Sequence, residues 1–523
     1  MATAADWLDD LRAHPRHVVL AALVAGLLAV PLSPDAVVAI AIAAGALAGR
    51  AGVAALAVAA VLAGAVGGQA RLAALDRTAL PPLYGTTVAA TVVLLEQPRP
   101  VQFGTTALAR LRELAPAGAA AGRAVAPAPA PTPASLAAGE RVMLRIRQST
   151  AWPASATGAV VQVHGRLRAL GPFERHYARK GAHAAITVEA AAATGTRRGG
   201  TWRVVDEVRG RAERALSVGL RQPQAALLRG MVLGQDEALS DRTRDEFRDS
   251  GLAHILAASG QNVALLLALA LPLLTFAGLG LRPRLGAALA LIALYVPLAG
   301  AGPSIQRAGV MGAATTVAAL AGRPASRWYA LLLAAAATLA LNPRASGDPG
   351  WQLSFAAVAA IALAAPAVSA RLRRRGAPAP VADAVAMSLA ATLGTAPLLV
   401  FHFGELSLVS LPANLLAAPA IAPVMWLGML AAAVGQLAAA LALPFNAMNA
   451  FLLGYVGTIA HEAAGVPHAS TRAALPGTVA LVAVYGVVGV LVALLRTRKG
   501  ARMPGTASSA NASPPPSSTS MMR

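Results

Sequence analysis

The chain contains no cysteine, which excludes disulfides, thiolate metal sites and cysteine nucleophiles. Lysine is nearly absent: Lys180 and Lys499 are the only two, so the net charge of +21 is carried almost wholly by arginine. Charged residues make up only 13% of the 523 positions, about half the share usual in a soluble domain. No Gly-x-x-x-x-Gly-Lys-Ser/Thr phrase is present to cradle nucleotide phosphates, so any ATPase that is needed is expected to be a separate protein. The phrase "HEAAGVPH" at residues 461–468 lacks the His-Glu-x-x-His spacing that sets two metal ligands on one helical face. No paired carboxylates or triad phrase offers another catalytic centre, and the sequence calls for no metal and no cofactor.

What the chain has in abundance is apolar residues, 56% of the total. They form continuous runs rather than the alternating pattern of a lipid-facing barrel, so the fold class is a polytopic α-helical membrane protein. Three runs open it, at about residues 17–32, 35–48 and 51–68, within an N-terminal membrane region at 1–70. Residues 71–200 change character. "TTVAATVVLLEQP", "ERVMLRIRQ", "AVVQVHGRLRAL" and "AAITVEAAA" are short, β-branched and bounded by turn formers, and they predict a small inserted β-domain. An Ala/Pro-rich stretch near 115–137 lacks large apolar residues and is expected to be a disordered insertion. Residues 201–250 predict amphipathic helices suited to the membrane interface. A second hydrophobic block covers 251–495, and a Pro/Ser-rich tail at 496–523 is expected to be disordered.

The connections in the second block alternate. Those with Arg282 and Arg284, Arg323 and Arg327, and residues 371–376 are rich in arginine, whereas "AGAGPS" and "HFGELS" are nearly neutral. The positive-inside rule puts the first set and the C-terminal tail in the cytoplasm and residues 71–200 outside, with about nine spans after Gly251.

Polar residues recur at membrane depth in four phrases: "GLAHILAASGQNVALL", "GAGPSIQRAGVMG", "NPRASGDPGWQLSFAAVAAIA" and "FHFGELSLVSLPANLLAAPAIAP". Ser259 and Gly260 favour a helix break, leaving His254, Gln261 and Asn262 either to face a hydrated path or to bond neighbouring helices. Arg307 lies a few residues inside a span. It suits phosphate, and the alternatives are snorkelling to the interface or pairing with a residue such as Glu405. Gln352 and Ser354 follow Trp351, and either face the path or cap and pack the span. Asn414 lies near Pro412, Pro419 and Pro423, where freed carbonyls and a discontinuity are expected. In the β-domain, Arg166, Arg168, Arg175, Tyr177, Arg179 and Lys180 mix cations with an aromatic, as single-strand binders do, although a solvated arginine-rich face has the same composition.

These four phrases, in this order, resemble the ComEC family of bacterial competence proteins. Gly251, Leu252, His254, Leu256, Ala257, Ser259, Gly260 and Val263 match its histidine motif; Pro303, Ser304 and Arg307, residues 352–355, and Asn414 with Pro419 match the phrases that follow. The likeness extends over about residues 71–495 and implies an OB-like extracytoplasmic domain. It also implies a channel importing single-stranded DNA across the cytoplasmic (inner) membrane in natural transformation. The same features suit a transporter of another polyanion or polymer, or a relative inactive in transport. Two departures matter: Gln261-Asn262 replaces the family's Leu-His, and the metallo-β-lactamase-like domain of many members is not seen after Leu495, so this chain is not expected to degrade DNA. The partners so implied are single-stranded DNA, the lipid bilayer, a DNA receptor outside, a separate nuclease and a separate cytoplasmic ATPase.

Overall fold

A computed structural model describes residues 13–101, 104–116, 137–153, 155–236, 238–256, 259–324 and 326–497. Most of the expected Ala/Pro insertion and of the C-terminal tail lies outside these described residues.

The first three helices whose full extent is described are α1 (Pro15–Leu28), α2 (Pro34–Ala48) and α3 (Ala51–Asp76). Ser33 caps α2 by accepting from the Ala36 amide at 3.4 Å, and Pro34 occupies the first turn, where a missing N–H costs nothing. Small residues let the three pack into their own core around Ala22, Ala41, Ala57 and Val61.

The β-domain follows as β1 (Thr87–Leu94), β2 (Arg99–Val101), β3 (Gly104–Pro116), β4 (Arg141–Ile146), β5 (Ala159–Ala169) and β6 (Ala182–Arg197), with the short α4 (Arg175–Arg179) before β6. Strand order is β1-β5-β6-β4-β3-β2, and a further β1–β3 pairing closes five strands into a barrel. β4 and β6 run parallel; the other pairs are antiparallel. Alternate residues such as Val88, Ala90, Val92, Val161 and Val163 fill the interior, which sends Gln162, His164, Arg166 and Arg168 outward. The four strand phrases seen in the sequence are β1, β4, β5 and β6. β3, at 13 residues, was not expected as a strand.

Past the barrel come α5 (Thr201–Ala215), α6 (Gln222–Leu233) and α7 (Asp241–Asp249). Within the stretch expected to hold interfacial helices, α6 is enclosed by the bundle: Ala225, Leu228, Met231 and five of its other residues are buried. The bundle consists of α8 (Ala253–Leu256), α9 (Gly260–Phe276), α10 (Leu281–Leu298), α11 (Pro303–Leu320), α12 (Arg327–Leu341), α13 (Pro349–Arg374), α14 (Ala379–Phe403), α15 (Ser410–Val434), α16 (Leu443–Ala464) and α17 (Gly477–Thr497). Asp348 caps α13 through the Trp351 amide at 3.0 Å, and Arg371, Arg373 and Arg374 sit in its last turn, each end complementing the helix dipole. Two connections pair as strands, β7 (Glu405–Ser407) with β8 (Ser470–Arg472). Six helices among the described residues are long and apolar enough to cross a membrane, as a multi-pass membrane protein requires. The discontinuity expected near Asn414 is absent: α15 runs unbroken through Pro419 and Pro423.

The barrel is fastened to the bundle at named points. The Glu140 carboxylate accepts from Thr78 Oγ1 at 2.6 Å and the Ala79 amide at 2.7 Å, just past the end of α3. His183 sits 2.7 Å from both Glu140 Oε2 and the Leu75 carbonyl. On the other side of α4, Arg179 donates to the Gly347 carbonyl at 2.6 Å, Asn342 donates to the Arg179 carbonyl at 3.0 Å, and Arg344 pairs with Asp76.

Candidate nucleic-acid interface in the bundle

All four phrases touch in space. The first opens with Gly251, whose backbone has φ +75° and lies against Ser410 at the start of α15, a position with no room for a side chain. The chain then makes the single turn α8 and restarts at Gly260, so the break expected beside Ser259 separates α8 from α9. His254 and Gln261 are exposed, Ser259 is half-buried and Asn262 is buried. Together with Met231 and Met425 these four line a cleft of about 10 Å³, room for about one water.

Asn262 also has a structural task. The last carbonyls of any helix lack intrahelical partners, and at the end of α6 two of them are met from outside. Asn262 Nδ2 donates to the Met231 carbonyl at 2.8 Å, and the Tyr295 hydroxyl donates to the Val232 carbonyl at 2.6 Å. Asn262 Nδ2 further reaches Tyr295 Oη at 3.2 Å, and Ser259 Oγ donates to Asn262 Oδ1 at 3.2 Å. α6, α9 and α10 are thereby tied at one point.

Gly260 faces Arg307. A Cβ built on Gly260 would lie 2.3 Å from Arg307 Nη2, so only glycine leaves the guanidinium its place. Arg307 is 5% exposed, and its Nε and Nη1 have no hydrogen-bond partner. Phe355 of α13 lies beside it, with the guanidinium carbon 5.7 Å from the ring centroid, a cation–π contact worth about 0.5–2 kcal/mol. Glu405, considered from sequence as a counter-ion, instead lies 3.6 Å from Arg248. One turn earlier on α11, which Pro303 begins, Ser304 Oγ donates to Ser354 Oγ at 3.0 Å. Gln352 donates to the Ser346 carbonyl at 2.7 Å, and its Oε1 lies 2.7 Å from His402 Nε2 on α14. The second and third phrases therefore form one contact, closed by the first at Gly260.

Asn414 stays apart. It donates to Ser410 O at 2.8 Å and Ser410 Oγ at 3.1 Å within its own helix, and so does not serve carbonyls freed by the prolines.

The β-domain cations are mostly occupied. Arg168 forks onto Glu174 at 2.8 and 2.6 Å, which holds the Glu174 carboxyl below the ordinary carboxylate range. Lys180 holds Glu96 at 2.7 Å, Arg166 donates to the Gly85 carbonyl at 3.2 Å, and Arg179 is committed to Gly347. Tyr177 corrects the stacking expectation: it is 5% exposed, its hydroxyl donates to Thr106 Oγ1 at 2.8 Å, and its ring is packed on Leu108 and Met143. The Arg175 side chain lies outside the described ones. No group of three His, Asp or Glu side chains suited to a metal occurs among the described residues.

Sequence inspection missed Tyr295, Phe355 as a partner of Arg307, and His402. Tyr295 carried the clearest signal, a hydroxyl within the apolar run "LIALYVPLAG" that burial obliges to find a partner.

The convergence of these phrases agrees with comparison to known proteins. A family model described as "Competence protein" matches residues 231–498, just over half of the chain, beginning in the last turn of α6 and taking in the whole Arg307 contact. ComE operon protein 3 of Bacillus subtilis (strain 168) is 28% identical over 193 residues, which cover 37% of this chain and 24% of that protein. The matched stretch is thus about a quarter of that relative's length. No solved structure matches. The chain belongs to the competence protein family.

Proposed function

We propose that this chain conducts single-stranded DNA across the cytoplasmic membrane during natural transformation. The observation that carries the proposal is Arg307, a buried guanidinium with two unpartnered nitrogens and no described carboxylate beside it. An arginine cannot shed its charge to escape burial, and an unpaired ion at that depth costs several kcal/mol. A passing phosphate diester supplies the missing partner with matching forked geometry. His254, Ser259, Gln261, Asn262 and the Ser304–Ser354 and Gln352 contacts supply neutral donors and acceptors around it. Such groups let a strand move on where fixed ion pairs would hold it. The cleft beside His254 and Asn262 holds only about 10 Å³, so in this reading passage requires α9 to part from α11 and α13.

The β-domain is OB-like in this account, a five-stranded barrel with the expected small size, and lies outside the membrane. It receives the strand from a receptor outside, at the face where Arg166 gives one donor to the Gly85 carbonyl and keeps its others. A separate nuclease supplies the single strand and a separate ATPase acts inside. The matched region is the membrane part of the family, and the chain acts as a conduit without chemistry of its own.

Competition distinguishes DNA from another polyanion or polymer. Internalisation of labelled DNA by a deletion strain carrying this chain should fall with excess unlabelled DNA and stay unchanged with heparin or polyphosphate. Equal inhibition by all three would make the substrate a polyanion of any kind.

A further inference from the structure

One pair of like charges in the β-domain has no internal explanation. Arg110 on β3 and Arg141 on β4 stand directly opposite each other in the strand register, and both are exposed. Side chains so placed start about 4.5–5.5 Å apart, and like charges there are destabilising. Arg141 donates to the Lys180 carbonyl at 2.6 Å, a contact that leaves its charge unbalanced. Glu96, whose charge offsets part of the repulsion at Arg141, is itself engaged by Lys180, from which it accepts two bonds at 2.7 and 2.9 Å. Partial burial lowers the Arg141 pKa, and the Arg110 charge pushes the same way.

The location of the pair suggests what balances it. Arg141 follows Glu140, the residue bonded to Thr78 and Ala79 at the end of α3. α3 has 26 residues, about 39 Å of helix against a hydrocarbon core of about 30 Å. A helix of that length has a turn or two to spare beyond the hydrocarbon, enough for its last turns and the barrel rim beside them to reach the lipid headgroups. Arg77, the exposed residue that ends α3, adds a third cation at this level. α3 packs with α1 and α2 in one core, and α1 packs in turn on α12 and α13, so the rim beside α3 lies at the margin of the helices, next to the α12–α13 connection.

We propose that Arg110 and Arg141 form a seat for the phosphate of an anionic phospholipid, which fixes the β-domain against the bilayer surface. The proposal is independent of what the bundle transports. The forked donors of two arginines suit a phosphate diester, and the lipid's charge removes the repulsion that the fold otherwise leaves in place.

The full chain, in nanodiscs of phosphatidylcholine with or without phosphatidylglycerol, provides the test through thermal unfolding and native mass spectrometry. Phosphatidylglycerol should raise the unfolding temperature of the wild type and remain bound on release from the disc. Arg110→Gln should unfold at a higher temperature than wild type in phosphatidylcholine alone, because the repulsion is gone, and should lose both the increment and the retained lipid. Arg110→Lys, which keeps the charge, should retain part of the increment and covers the case in which the Gln variant folds poorly. Equal increments in wild type and Arg110→Gln would overturn the proposal. So would an increment produced by a single-stranded oligonucleotide and not by phosphatidylglycerol, which would reassign the pair to nucleic acid.

Discussion

At the scale of single residues, the site combines side chains that complete the fold with one that the fold leaves incomplete. Asn262 and Tyr295 belong to the first kind, since they satisfy the Met231 and Val232 carbonyls at the end of α6 and touch each other at 3.2 Å. Interhelical hydrogen bonds in membrane proteins are worth about 0.6 kcal/mol on average and up to about 1.7. Asn262→Ala and Tyr295→Phe should each destabilise the protein in detergent by amounts in that range, and the double variant should lose less than the sum. Additivity of the two losses would mean that the residues act separately. Arg307 is the residue of the second kind, and its guanidinium lies where a side chain at Gly260 would stand. That Arg307 was a candidate was legible in its sequence, as an arginine inside "PSIQRAGVMG". That no described carboxylate pairs with it was not, because Glu405 was an equally good partner until the fold placed it beside Arg248.

At the scale of elements, helices were easier to read than strands. Continuous apolar runs have one outcome in lipid, and after Gly251 they are helices, five of those described being long and apolar enough to cross a membrane. β3 was hidden because "GTTALARLRELAP" has the spacing of an amphipathic helix. Pairing with β1 on one side and β4 on the other overrides that local preference. The enclosure of α6 was hidden for a related reason: periodicity shows that one face is apolar but cannot show that the other face is also enclosed. The connections carry a prediction of their own. The α13–α14 turn, with Arg373, Arg374 and Arg375, is expected in the cytoplasm, and the barrel outside. Because the chain has no native cysteine, a cysteine introduced at Arg374 reports sidedness without background. It should resist an impermeant maleimide in intact cells and react after permeabilisation, while one at exposed Arg112 should react at once. Labelling of the first and protection of the second would invert the topology.

At the scale of the whole molecule, the chain consists of a barrel held over the end of α3 and the α12–α13 connection, and a bundle in which distant phrases share one contact. Composition was enough for the membrane class, and the order of the phrases was enough for the family. Their meeting around Arg307 needed the fold, since Gly260, Arg307 and Phe355 come from three different helices. The central claim is that this buried charge serves a passing phosphate. The most direct measurement is internalisation of labelled DNA by a deletion strain carrying wild type, Arg307→Lys or Arg307→Gln, with membrane insertion verified for each. The account predicts loss of uptake with Gln, which leaves a polar group without charge. It predicts partial uptake with Lys, which keeps the charge and loses the fork. Wild-type uptake by a normally inserted Arg307→Gln protein would contradict it.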